Sequence, residues 1–568
     1  MLSEKRWELK PPPPPELVAS LPELPPLLIR LLHNRGLSDP AQIRAFLEGG
    51  GPGNPFRLQD IHRAVDRLRR AIRQDEPIAV YGDFDVDGIT ATVLLVETLQ
   101  ALGAQVRSYI PSRLHEGYGL NFSALRRLAG EGVRVVVTVD CGIRSIREVA
   151  YGQRLGLDMI ITDHHSIGPE LPPAFATINP KRSDCPYPFK KLSGVGVAYK
   201  LAQALLRVER QVPVKGGDVS LQEENLLDLV ALGTVADIVP IFGENRDLVR
   251  QGLKLLNVTP RPGLRALAAR AGVKMGQINT YMISYVLGPR LNAAGRLAEA
   301  TLSYKLLTSR SPEEAEPLAQ ELEEQNRQRQ RLTDKILAQA REQVLETGPE
   351  ASLLVAIGEN FLAGVVGLVA NHLSEEFYRP ALVIERGQKR SRGSARSIPE
   401  FHITRALDRC RELLVRHGGH AAAAGFTVEN ENLPAFLEKM RLIADEELKG
   451  LELKPTLEID AELCLSELTW DTYYLLKLLE PCGEGNPPPL LLSRGVLLRE
   501  TRRVGAENKH LKLTLSDGKC VWDAIAFRQG ARADEIAQRL DVVYRLEADQ
   551  WNDEPRLQLK LEDWRPAL

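Results

Sequence analysis

"PIAVYGDFDVDGIT", residues 77–90, passes from apolar to acidic within one short stretch. Pro77 to Val80 has the apolar run of a short buried strand, and Thr90 to Leu99 has the apolar face of a helix. Asp83, Asp85 and Asp87 therefore fall where a strand hands over to a helix, which in an open α/β sheet is where ligands bind. Three like charges on alternate positions repel one another unless a cation or hydrogen bonds hold them. A calcium loop also opens Asp-x-Asp-x-Asp-Gly, but its twelfth position must be a bidentate Glu. Here that position is Leu94, and the flanking strand and helix disagree with such a loop as well.

At 568 residues the chain is too long for one core, and about two to four domains are expected. Hydrophobic content of 43% and charged content of 26% are those of an ordinary globular protein. The formal net charge of −2 excludes a generally basic surface, so nucleic-acid contact would need a local basic patch. The start "MLSEKRWELK" is charged where a signal peptide is apolar, and no run approaches membrane-spanning length, so a cytoplasmic protein without membrane contact is expected. The six cysteines, Cys141, Cys185, Cys410, Cys464, Cys482 and Cys520, form no C-x-x-C pair and are expected to be small buried hydrophobes.

"PPPPP" at 11–15 is a polyproline stretch of a kind that can recruit a partner, but a stiff linker is the expected reading. From about 46 to 305, apolar strands such as "VRVVVTV" (133–139) and "LDMIIT" (157–162) alternate with helical segments, which predicts a mostly parallel α/β sheet. Residues 311–346 are charged and helix-forming, with Ser311 and Glu314 at capping-box spacing and Pro312 at the first helical position. Their apolar positions are too sparse for a core helix and the heptad lapses, so a helix spanning two domains is expected. A second α/β unit follows from 351 to about 445. "HLKLTLSDGKCVWDAIAF" (510–527) alternates Leu511, Leu513 and Leu515 with polar residues and turns at Asp517-Gly518, and "RLQLKLEDW" repeats the alternation, as in a small β-barrel. The expected architecture is an N-terminal extension 1–45, an α/β domain 46–310, a connecting helix 311–347, a second α/β domain 348–450 and a barrel 451–568.

The acids continue through the first α/β unit. Asp140 follows "VRVVVTV", Asp163-His164-His165 follows "LDMIIT", and "GTVADIVP" offers Asp237 after a helix. One acid after a strand could be a helix cap, and phosphatases of the haloacid-dehalogenase type also carry an Asp-x-Asp there. Four such connections on one sheet edge would gather carboxylates and imidazole without thiolate, a set suited to Mg²⁺ or Mn²⁺. Two such ions would hold and polarise a phosphodiester.

"GDFDVDG", "VDCG", "DHH" and "VADIVP", in this order, resemble the four motifs of the DHH phosphoesterase superfamily. "IPSRLHEGYGL" (110–120), "GPRLNAAGR" (288–296), "GSARSI" (393–398) and "GGHAAAAGF" (418–426) narrow the resemblance to its RecJ branch of single-strand-specific exonucleases, with a DHH-associated second domain and a C-terminal OB-fold. The resemblance covers nearly the whole chain. It implies that Asp85, Asp87, Asp140, His164 and Asp237 ligate two divalent ions, Mn²⁺ or Mg²⁺, with Asp140 bridging them. Asp83 is then either a ligand or a group that orients one, and His165 faces the scissile phosphate.

On the substrate side, Arg113, Arg290, Arg296 and Arg396 are expected in turns near glycine or serine, where a guanidinium can reach phosphate oxygens bidentately. "RGQKRSRGSAR" (386–396) is the densest basic run, and a solvated surface is the usual reason for one. The resemblance places Ser394 and Arg396 in a 5′-phosphate pocket and Asn292 and His420 along the strand's path. Lys509, His510, Lys512, Trp522 and Trp551 are candidates for strand contact on the barrel, with Trp522 equally fitted to its core. The resemblance implies a monomeric 5′-to-3′ exonuclease on single-stranded DNA in repair and recombination, beside single-strand-binding protein and a RecQ-type helicase. One rival is a DHH phosphodiesterase acting on short oligonucleotides, which usually lacks the long helix and barrel. Another is a non-catalytic strand-binding scaffold of the same fold, which would lack metal ligands.

Overall fold

The computed structural model describes residues 5–51, 53–112, 116–117, 119–215, 220–297, 299–549 and 555–567. Leu9–Glu323 and Glu458–Leu568 form one compact unit, and Glu324–Leu457 belongs to another.

In the first unit, five parallel strands lie in the order Val106–Tyr109, Ile78–Gly82, Val135–Val139, Asp158–Thr162, Ala176–Ile178. The chain steps from Ile78–Gly82 to one edge and returns past it, so the order reverses between Ile78–Gly82 and Val135–Val139. That reversal is the switch point of a doubly wound sheet, where connections leave on opposite faces and open a crevice at the strand ends. Both strands are buried throughout. Their residues alternate between two cores: Ile78, Val80, Val135 and Val137 pack on one face, Ala79, Tyr81 and Val136 on the other.

The long helix runs over Pro312–Thr347. Ala315, Ala319 and Leu322 pack into the core of the first unit, and Ile336, Ala340 and Val344 into a core of the second. The expected cap is half realised: the Glu314 amide donates to Ser311 Oγ at 3.3 Å, but the Glu314 carboxylate accepts from the Arg310 amide at 2.9 Å instead of that of Ser311. The second unit holds a mixed sheet in which only Leu354–Gly358 and Ala381–Glu385 pair in parallel. The basic run 386–396 forms its strand Arg390–Arg396.

Five long strands close the C-terminal barrel: Leu491–Val504, His510–Ser516, Val521–Ala526, Arg556–Pro566 and Arg539–Asp549, the last pairing back to the first. Leu511, Leu513 and Leu515 face its interior as their alternation predicts. Trp522 packs against that core and its indole N–H donates to Leu465 O at 3.1 Å, while Trp551 lies outside the described residues.

The residues after "PPPPP" behave differently from a free linker. The helices Pro15–Ala19, Pro26–His33 and Pro40–Glu48 bury Leu17, Leu28, Ile29, Leu31, Leu32 and Ile43 in the same core as the barrel strands. Cys464 also departs from expectation, since it is exposed.

A buried guanidinium ties three parts of this unit together. Arg246 is 2% exposed and donates to Phe46 O at 2.7 Å, Leu478 O at 3.0 Å and Glu480 O at 2.8 Å, with its charge 3.8 Å from the centre of the Phe46 ring. Phe46 lies in the last turn of Pro40–Glu48, and Leu478 and Glu480 just follow the helix Trp470–Lys477, so the cation also meets the negative ends of two helices. Replacing Arg246 with Met would strand these carbonyls out of water at a cost of about 3 kcal/mol or more. The Arg246→Met variant is expected to lose its first thermal transition several degrees below the parent, and melting together with it would refute the tie.

Candidate active site

The acids assemble at the switch point. Asp83, Asp140 and Asp163 each follow the last residue of their strand by one position. Asp140 and Asp163 continue the pairing beyond the strands, their amides donating to Thr162 O and Ile178 O at 3.1 Å. Asp85 caps the helix Val86–Ala101, its Oδ1 accepting from the Gly88 amide at 3.0 Å. A Cβ on Gly88 would come within 2.7 Å of Asp83 Cα, so glycine lets the first turn close down on Asp83. Asp237 ends the helix Leu227–Ala236.

Three sets of side chains have ligand atoms within 4.8 Å of one another: Asp83, Asp85 and Asp140; Asp140, His164 and His165; Asp87, His164 and Asp237. Asp140 is shared by the first two and His164 by the last two. His164 Nε2 lies 3.1 Å from Asp140 Oδ1, 3.6 Å from Asp237 Oδ2 and 3.9 Å from Asp87 Oδ2. Asp87 is held from behind, accepting from the amides of Gly194 at 2.6 Å and Val195 at 2.8 Å in the first turn of Gly194–Gln211.

Electrostatics show what this cluster lacks. Burial, then the neighbouring carboxylates, push Asp140 and Asp237 well above the usual carboxylate range and Asp87 up to about 7. Burial lowers His164 to about 3, which leaves its ring neutral. His164 Nε2 and Asp237 Oδ2 are buried without a hydrogen-bond partner among the described residues. Carboxylates that resist ionising, a neutral imidazole and no thiolate together form a donor set fitted to hard or borderline divalent cations. The backbone is also unusual here: Asp140 has φ +60° and Ile238, next to Asp237, also has φ +60°. That conformation costs a β-branched residue more than it costs Asp.

Asp163, part of the motif but given no role from sequence, orients the pair of histidines. Its Oδ1 accepts from the amides of His164 at 2.7 Å and His165 at 2.9 Å and lies 2.8 Å from His165 Nδ1, while Oδ2 accepts from the Ile143 amide at 2.9 Å. Burial would lower the His165 pKa, but Asp163 outweighs it and holds the ring above its ordinary value. The glycine-rich helix start at Gly194 was likewise missed. Its only sequence signal is Ser193, whose hydroxyl accepts from the Gly196 amide at 3.1 Å.

The substrate-side residues divide. Arg290, Asn292 and Arg296 share the helix Gly288–Leu297 and Arg396 ends the strand Arg390–Arg396, so none of these three arginines sits in the turn expected of it. Asn292 Oδ1 accepts from the Val86 amide at 3.2 Å, so this helix braces the turn between Asp85 and Asp87. Arg290 is engaged by Glu323 at 2.7 Å and by Val286 O at 2.8 Å. Ser394, Arg396 and His420 belong to the second unit. There Arg396 donates to Ser394 Oγ at 3.0 Å, and His420 is exposed in the turn between the strands Leu414–Gly419 and Ala423–Glu429. Arg113 lies outside the described residues.

Comparison with known proteins agrees with this layout. Residues 77–234 match the DHH family N-terminal domain, 350–446 the DHHA1 domain and 459–563 the RecJ OB domain. The single-stranded-DNA-specific exonuclease RecJ of Bacillus subtilis is 38% identical over 99% of this chain and 71% of its own length. RecJ of Escherichia coli is 35% identical over 92% of this chain and 94% of its own length. The crystal structure of Thermus thermophilus RecJ in complex with Mn²⁺ superposes with a TM-score of 0.84 at 31% identity, covering 99% of this chain and 80% of that one. With all three domains matched in order and the relatives aligned along almost its whole length, the chain belongs to the RecJ family.

Proposed function

We propose that this protein is a metal-dependent exonuclease that degrades single-stranded DNA from the 5′ end and releases mononucleotides. The observation that carries the reading is the retention of an acid or imidazole at every position of the switch-point cluster, in a chain whose relatives are named single-stranded-DNA-specific exonucleases. A scaffold that had given up catalysis would have no reason to keep buried carboxylates at the cost of their mutual repulsion.

Asp83, Asp85, Asp87, Asp140, Asp237 and His164 would hold two Mn²⁺ or Mg²⁺ ions. Bound there, the ions supply Lewis acidity and an activated nucleophile for phosphodiester hydrolysis. Gly194 and Val195 fix Asp87, and Asn292 fixes the turn before it. His165, oriented through Nδ1 by Asp163, would face a phosphate oxygen as a positive group. Arg113, Arg296, Ser394, Arg396 and His420 would hold the 5′ end and its path, and Arg290 would join them on leaving Glu323. No helix among the described residues is long and apolar enough to cross a membrane. We place the protein in the cytoplasm, as a monomer acting in repair and recombination with single-strand-binding protein and a RecQ-type helicase.

The test is digestion of an oligonucleotide labelled at either end, with Mn²⁺, with Mg²⁺ and with chelator. Early release of a labelled mononucleotide from the 5′ end alone, lost in chelator, is expected. Equal degradation of a blunt duplex, or release from the 3′ end first, would contradict the reading.

A further inference from the structure

The edge strand Ala176–Ile178 ends beside the histidine pair. The Asp163 amide donates to Ile178 O, and the chain then turns at once over residues 179–182, the Arg182 amide closing the turn on Asn179 O at 3.2 Å. Asn179 is fully buried. Its Nδ2 donates to His165 O at 3.0 Å and its Oδ1 accepts from the Lys181 amide at 2.8 Å, so one side chain ties the backbone of Lys181 to that of His165. Arg182 is buried as well, donating to Thr177 O and to the carboxylates of Asp60 and Asp184. Pro180 is buried too, which leaves Lys181 as the one exposed side chain of a turn fixed from both ends.

A second lysine is anchored beside the other imidazole. Lys191 is exposed three residues before Gly194, whose amide holds Asp87. Its carbonyl accepts from Asn245 Nδ2 at 2.7 Å, and the next residue, Leu192, is buried with its backbone hydrogen-bonded to His164. Nearby lysines are already engaged: Lys190 Nζ donates to Cys185 O at 2.7 Å, and Lys200 is buried against Glu244. By contrast, neither the Lys181 nor the Lys191 ammonium has a hydrogen bond or an ion pair among the described residues. The two charges nevertheless feel each other and the cluster. Burial, then Lys191, holds Lys181 below its ordinary pKa, while Asp163 and Asp237 act against that.

A free lysine on a surface is ordinarily just solvated. What sets this pair apart is that two like charges are brought together on anchored backbone, at the rim of a cluster fitted to hold two divalent cations. Such an arrangement is unfavourable until an anion lies between the charges. Phosphate is the anion the reaction brings, and lysine binds it as a point charge. The scissile phosphate belongs to the ions, and Ser394 and Arg396 are proposed for the 5′ end. The phosphate on the other side of the scissile one has no group assigned to it. We propose that Lys181 and Lys191 clamp this phosphate, the first on the 3′ side of the bond being hydrolysed, and so seat that bond against the ions. The inference rests on the exonuclease reading above and adds a substrate contact to it.

The experiment follows the rate of first cleavage, at subsaturating strand with Mn²⁺, of a 5′-phosphorylated twenty-nucleotide oligo(dT) in two forms. One is all phosphodiester, and the other carries an uncharged methylphosphonate at the second linkage. The parent is compared with Lys181→Ala/Lys191→Ala and with Lys181→Arg/Lys191→Arg. The uncharged linkage is expected to slow the parent at least about tenfold, and the alanine pair to slow cleavage of the unmodified strand by a similar factor. The two changes together should cost little more than either alone, because both remove the same contact. The arginine pair keeps the charge and should respond to the uncharged linkage as the parent does. Mn²⁺ binding measured without DNA separates a substrate contact from damage to the ligand shell: the alanine pair should bind the ion at least as tightly as the parent, since two cations beside the site are gone. Equal slowing of parent and alanine pair by the uncharged linkage, or weaker Mn²⁺ binding by the alanine pair, would overturn the clamp and leave the exonuclease reading in place. A parent that did not cleave the unmodified strand would overturn that reading and the clamp with it.

Discussion

Asp140→Asn is expected to lose turnover by at least about a thousandfold, since several kcal/mol of transition-state stabilisation depend on the metal pair and each 1.4 kcal/mol is tenfold. Asp140 is the carboxylate common to two of the three ligand sets, so its loss weakens both ion positions together. Asparagine is the informative replacement because it tolerates the left-handed φ of +60° that Asp140 adopts. Strand binding should survive, because the contacts proposed for it lie on other side chains. Stability should move the opposite way from activity. The Asp140 carboxyl is raised by burial and by its neighbours, so the fold is fully favoured only below the unfolded pKa and loses that contribution as pH rises through the folded one. In chelator the Asn variant should therefore melt at or above the parent, by a margin that grows with pH. A variant that lost strand binding as completely as turnover, or that melted below the parent at every pH, would contradict this assignment.

The chain made much of this site legible for a physical reason. A parallel strand buried on both faces must be an apolar run, and a polar residue at its carboxyl end cannot belong to the core, so Asp83, Asp140 and Asp163 announce themselves by position. Asp237 follows a helix, where no such contrast exists, and only the order of motifs singles it out. The contribution of Asp163 was hidden because a carboxylate that ligates and one that orients a neighbouring imidazole look alike in a sequence. The glycine near Arg290 suggests a guanidinium reaching for phosphate, yet spacing cannot show that Glu323, 33 residues on, engages it. The N-terminal helices were missed for another reason: they are short and begin with proline, and the core that accepts Leu28 and Ile43 lies more than four hundred residues away along the chain.

Gly194→Ala tests how closely the scaffold is fitted to the proposed metal ligands. Alanine is ordinarily the better helix former, by about 1 kcal/mol, and Gly194 has no positive φ that would forbid it. Here a Cβ would stand 2.5 Å from Asp140 Cβ and 2.6 Å from Asp140 Oδ1, distances that real side chains do not sustain. Either Asp140 or the first turn of Gly194–Gln211 must move, and that turn also carries the amides that hold Asp87. One methyl group thus disturbs ligands of all three sets. Displacement of reacting geometry by about 1 Å costs on the order of a hundredfold in rate, and turnover should fall by at least that much, with a higher Mn²⁺ concentration needed for half-maximal activity. Gly130→Ala is the control, at the end of Phe122–Gly130, where a new Cβ meets nothing within 4 Å, and it should leave both quantities unchanged. If Gly194→Ala matched the parent in rate and metal requirement, the close packing of this helix on Asp140 would have no part in shaping the site.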